Sequence, residues 1–199
     1  MSGDVAGRLC AGFLLPVVAY PLGLFDGFLT AGDWGERSHW SRFLPMSWLT
    51  GSETTRDQLL ELRPPLAQAH RQLVESIWAS GVPAPLLELC RLRMAQILRC
   101  APALAQRYDA PRLAGLTELK IEKLSRWPSD PLFDETERAC IEFAELFVID
   151  QHAITDVQTE SVRRLLGDAG IVAFTTALGV WENQHRFDNA LAVATFRKD

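Results

Sequence analysis

Beyond residue 54, apolar residues recur at three- and four-residue spacing, and no segment alternates apolar and polar positions as a half-buried strand would. Residues 88–107, ELCRLRMAQILRCAPALAQR, form the stretch around which the others are organised. Pro83 and Pro85 suit a first helical turn, where a missing N–H costs nothing. Leu87, Cys90, Met94 and Leu98 then form the stripe of an amphipathic helix. Pro102 ends or restarts that helix, which leaves Cys100 at a junction ahead of a short helix through about Tyr108. Upstream, residues 56–62 make a short helix, and Leu66, Leu73 and Ile77 mark another that closes at Gly81, with His70 off the stripe and on the surface. Downstream, Thr117 starts a helix through about Arg126 with Leu119 and Leu124 inward. Asp134 with Glu137, and Thr155 with Gln158, have the spacing of capping boxes. The first opens a helix with the stripe Cys140, Phe143, Ala144 and Phe147; the second opens one that ends at Gly167. A last helix, from about Asp168 towards Val193, carries Ile171, Phe174, Leu178, Trp181 and His185 on one stripe. The pattern predicts an all-α domain of six to eight helices over residues 54–199.

Residues 1–53 read differently. The run 9–25 has no charge, yet two prolines and two glycines interrupt it and it is shorter than the roughly 20 residues a membrane span needs. Its start, with Asp4 and only Arg8, is not that of a signal peptide. It is expected to be a buried arm, packed on its own domain or on a neighbouring subunit. Residues 26–53 are rich in Gly, Trp, Ser and Pro and read as irregular, with Trp34, Trp40 and Trp48 as anchors.

Composition narrows the function. The 199 residues hold 48% apolar and 23% charged side chains, ordinary for a globular protein with an ample core. A net charge of −5 provides no electrostatic footprint for nucleic acid. The cysteines at 10, 90, 100 and 140 form no C-x-x-C pair and no metal-ligand spacing, so no metal and no cofactor is expected. Reduced thiols in the cytoplasm follow.

Three residues are candidates for chemistry. Cys100, at a helix N-terminus beside Arg99, is expected to have a stabilised thiolate and to react ahead of Cys90 and Cys140. Glu88, beside apolar stripe positions, is a candidate general acid or base, or else the partner of Arg91 three residues on. Twelve residues of straight helix span roughly 18 Å, so a chain reversal near Pro102 or a second subunit must bring Cys100 back towards Glu88. His185, on the apolar stripe of the last helix, is either a proton relay or a core histidine. Arginines 91, 93, 99, 107 and 112 fall within one 22-residue window, where Arg91 and Arg107 are candidates to hold an acidic small-molecule substrate; a solvated or subunit-contact face is the alternative.

The segment LLELCRLRMAQILRC, with eleven residues between Glu88 and Cys100, resembles the carboxymuconolactone decarboxylase and alkylhydroperoxidase D superfamily. The similarity continues through PRLAGL (111–116), SDPLFDETERACIEFAE (129–145) and WENQHR (181–186), and covers roughly residues 85–193. In the redox members Glu is followed by C-x-x-C and then by His; here Ala103 stands at the second cysteine and Arg107 at the histidine. The resemblance implies the alkylhydroperoxidase D-like fold, a homo-oligomer, and a peroxidase-type oxidoreductase reduced to a single candidate thiol. The alternatives it leaves are a non-redox, decarboxylase-like lyase acting on an acidic small molecule through Glu88, and a non-catalytic oligomeric binding protein.

Overall fold

The computed structural model describes residues 54–194; the expectations for the arm at 9–25 and for the tryptophans of 26–53 lie outside the described residues. Eight α-helices and no strand occur among the described residues, in agreement with the periodicity. They are α1 (Arg56–Leu60), α2 (Pro64–Trp78), α3 (Ala84–Ile97), α4 (Ala101–Ala105), α5 (Asp109–Leu113), α6 (Glu118–Glu122), α7 (Glu135–Ile149) and α8 (Asp156–Ala190). Both predicted capping boxes form, Asp134 with Glu137 and Thr155 with Gln158, and Thr55 with Gln58 adds a third at α1.

The centre is α3. It packs against α7, α8, α5 and α4, and so it is not amphipathic as the stripe suggested. Leu86, Leu87, Leu89, Cys90, Leu92, Met94 and Ala95 are all buried, and so are Glu88 and Arg91 between them. A helix surrounded on all sides has no polar face to present. α7 adds Cys140, Ile141, Phe143 and Ala144. α8 adds Phe174, Leu178, Trp181 and His185 of the predicted stripe, together with Ala177, while Ile171 of that stripe is half-buried against the same core. α8 changes direction at Gly167, whose φ of 76° and ψ of 170° only glycine adopts readily. By length and composition α8 would be long and apolar enough to cross a membrane. Its stripe of Phe174, Leu178 and Trp181, continued by His185 and Asp188, packs into this core.

Two inward faces differ from the expectation. On α2 the buried positions are Ala67 and Ile77, with His70 and Val74 half-buried on the same stripe, whereas Leu66 and Leu73 are exposed. Ala67 has no exposed surface at all, so small size rather than hydrophobicity selected the inner face there. His70 is therefore an inward residue, its Nε2 2.9 Å from Gln184 Nε2. Leu124 is inward as expected, but Leu119 is exposed, because Glu118–Glu122 is a single turn that stops before a 3-10 turn at Leu124–Arg126.

Candidate functional site

The reversal that positions the site comes at Arg99, ahead of Pro102. Arg99 takes φ 53°, its N–H bonds Gln96 O at 3.2 Å, and the Cys100 N–H bonds Ala95 O at 2.9 Å. This pair of bonds is a Schellman stop, closed by an arginine where glycine is usual. Asn189 Nδ2 donates to Leu98 O at 2.8 Å and satisfies another carbonyl of the α3 terminus from α8. Cys100 then caps α4, which folds back along α3.

Arg91 ties the returned segment to α3. Its Nε and Nη2 donate to the two carboxylate oxygens of Glu88 at 2.7 and 2.6 Å, while Nη1 reaches Ala103 O at 2.9 Å and Nη2 reaches Gln106 O at 3.0 Å. The Tyr108 ring stacks on the same guanidinium, 5.0 Å away. Both Glu88 and Arg91 are only 1% exposed. The ion pair foreseen three residues along the helix is thus fully desolvated, and α4 is held by its carbonyls.

Cys100 has no exposed surface. Its Sγ lies 3.9 Å from Oδ2 of Asp188, and Asp188 is gripped by Arg56 through Nε to Oδ1 at 2.7 Å and through Nη2 to Oδ2. The stabilised thiolate expected from sequence does not occur. Burial raises the Cys100 thiol above its ordinary value, and the Asp188 carboxylate adds to the rise; the Ala103 N–H and Arg56 push the other way without prevailing. The helix-terminus effect is therefore present but smaller than desolvation. Cys90 and Cys140 are raised too, chiefly by burial, Cys140 to about 12.

His185, 1% exposed, leaves both ring nitrogens without a hydrogen-bond partner. Burial, with Arg91 and Arg56 nearby, lowers its pKa to about 3. Arg107 stays on the surface, bonded to Leu104 O at 2.5 Å and 3.5 Å from Glu118. The arginine window does not converge: Arg93 pairs with Glu145 and Arg112 with Asp109, each apart from Arg91. Among the described residues no three His, Cys, Asp or Glu side chains form a metal-binding group. An open groove of about 380 Å³ is lined by Glu75, Trp78, Ala79, Tyr108, Asp109 and Ala110, and Cys100 is not part of its lining.

The structure thus gathers Glu88, Arg91, Cys100 and His185 around the α3–α4 reversal and α8, and leaves Arg107 outside. It adds Asp188 and Arg56, which the sequence reading missed. Asp188 continues the α8 stripe three residues after His185, so an acid on an apolar stripe was the available signal; Arg56, 132 residues away, carried none.

No protein-family model matches the sequence, and no curated protein matches it. Solved structures do. An Agrobacterium tumefaciens protein of unknown function, described as an AhpD candidate in antioxidant defence, superposes with a TM-score of 0.64 at 24% identity, over 73% of this chain and 100% of that one. A cysteine-to-alanine form of the debrominase Bmp8 in complex with 2,3,4-tribromopyrrole superposes with a TM-score of 0.63 at 13% identity, over 70% of this chain and 75% of that one. Apo Bmp8 gives 0.62 at 14%, over 70% and 76%. In fold, the helical region of this chain is alkylhydroperoxidase D-like.

Proposed function

We propose that the chain is a single-thiol oxidoreductase that reduces a small organic hydroperoxide at Cys100. The observation that carries this reading is the Cys100–Asp188 contact: of the described thiols, Cys100 is the one with a carboxylate in hydrogen-bonding range. The described relative's link to antioxidant defence supports it. Glu88 and Arg91 serve here as the pair that holds α4 and hence the thiol, rather than as acid and substrate clamp, since each occupies the other. Ala103 rules out a disulfide within the motif, so the oxidised thiol is reset by an external thiol. The experiment is hydroperoxide consumption in the presence of a low-molecular-weight thiol, with trapping of sulfenic acid. Cys100→Ser should abolish both signals, and Cys140→Ser should leave both; consumption that survives Cys100→Ser refutes the reading.

A second reading, a non-catalytic binding protein, is favoured by the complete burial of Cys100 and by the groove at Trp78 and Tyr108. It requires ligand binding with no thiol-dependent turnover. A homo-oligomeric state is part of either reading. Leu62, Leu66 and Leu73, at 56%, 62% and 42% exposure on and just before α2, are the exposed leucines that support it. A clean monomer in sedimentation at micromolar concentration would remove it.

A further inference from the structure

Resting on Cys100 as the reacting thiol, we propose that Asp188 is the base that accepts its proton, and that Arg56 on α1 is the positioning residue for that base. Asp188 is 1% exposed and sits on the α8 stripe, its Oδ2 shared between the Cys100 Sγ at 3.9 Å and the Arg56 guanidinium. Arg56 also fixes Oδ1, at 2.7 Å, so the carboxylate cannot rotate away from the sulfur. The short α1 that carries Arg56 is held at its start by the Ala194 N–H bonding Thr54 O at 3.0 Å.

The other candidate bases are disqualified by their surroundings. Glu88 is paired with Arg91, as Asp188 is with Arg56, but only Asp188 of the two makes a hydrogen-bond contact with the Cys100 sulfur. His185 has no hydrogen-bond partner on either ring nitrogen, and so does not touch the Cys100 sulfur. His70, on α2, faces Gln184. The charged and titratable groups around the Asp188–Cys100 contact are therefore Arg56 from α1, His70 from α2, Arg91 from α3, Tyr108 beyond α4 and His185 from α8. Burial keeps the resting sulfur protonated, so the proton must leave as the sulfur attacks, and Asp188 is the acceptor in place.

The Cys100 S–H proton passes to Asp188 while sulfur attacks the outer peroxide oxygen; an S–O bond forms and the O–O bond breaks. Sulfur is oxidised by two electrons to sulfenic acid and the peroxide is reduced to an alkoxide, which takes the proton from Asp188 and leaves as the alcohol. One external thiol then forms a mixed disulfide and releases water; a second regenerates Cys100 and leaves as a disulfide.

The test is the pH dependence of the Cys100 reaction with cumene hydroperoxide, read as sulfenic acid, and with iodoacetamide, read by mass spectrometry at that cysteine. The wild type should hold a rate plateau well below the thiol pKa. Asp188→Asn should lose the plateau, so that its rate falls about tenfold per pH unit, with a loss of about 100-fold or more at neutral pH. Retention of the plateau in Asp188→Asn overturns the proposal. So does a faster reaction at every pH, which would follow if the carboxylate merely opposed ionisation of the thiol. Arg56→Gln keeps the base but frees its carboxylate to turn from the sulfur, so the plateau rate should fall, and Arg56→Lys should restore part of it; an unchanged plateau in Arg56→Gln overturns the proposal even if Asp188→Asn does not fold. A wild type inert to hydroperoxide yet showing an Asp188-dependent plateau with iodoacetamide would sink the peroxidase reading and uphold the proton assignment.

Discussion

Replacing Arg91 by Met isolates what holds the site together. The side chain is 1% exposed, and it makes two hydrogen bonds to Glu88 and one each to Ala103 O and Gln106 O. Removing one partner of a buried ion pair costs about 3–5 kcal/mol, because the other charge is left in the core. The two carbonyls of the returned segment add about 0.5–1.5 kcal/mol each. Arg91→Met should therefore lose about 4–8 kcal/mol, a large share of a domain stability on the order of 5–15 kcal/mol. Glu88→Leu combined with Arg91→Met deletes both charges and should lose only about 1–3 kcal/mol, the carbonyl contribution alone. Glu88→Leu by itself strands the guanidinium and should cost about 3–5 kcal/mol. The assay is urea unfolding followed by tryptophan fluorescence, since Trp127 and Trp181 are buried, with the four proteins forming a double-mutant cycle. Additive single losses, or an Arg91→Met loss below about 1 kcal/mol, would refute the desolvated pair and return Glu88 to the list of free catalytic acids.

Other outcomes follow from the same geometry. His185 has a folded-state pKa of about 3 against about 6.5 unfolded, so the unfolded chain binds more protons and stability falls as pH drops below about 6.5. Between pH 7 and 4 that amounts to about 3 kcal/mol, and His185→Leu should flatten the stability profile over this range; an unchanged slope contradicts the buried neutral ring. Direct titration of thiolate absorbance, as the difference between wild type and Cys100→Ser, should place Cys100 above the ordinary thiol value of about 8.5, and a lower value would restore the helix-terminus account. Gly167→Ala should cost about 1–3 kcal/mol for backbone strain alone, because nothing lies within 4 Å of the added methyl; a neutral effect in thermal melting would mean that α8 is straight there.

Helix identity was legible along the chain because its determinants are local. Capping boxes at Asp134 and Thr155, proline at the start of α3, and the stop at Gly167 each act over three or four residues. So was the inner stripe of α8, where bulky side chains recur without competition from another apolar face. The Glu88–Arg91 pairing was legible as a possibility, being three residues apart on one helix.

What only the tertiary structure decided is how much water each position loses. Leu66 and Leu73 are as apolar as Ile77, yet Ala67 is the residue that faces inward, since helix packing selects by space as well as by hydrophobicity. Cys100 occupies the helix start that sequence assigned to it, but packing strips its solvent and brings Asp188 from 88 residues away, so desolvation overrides the terminus effect. Periodicity carries the direction of a side chain. The dielectric around it, and the partner it meets across the core, exist only once distant segments have packed.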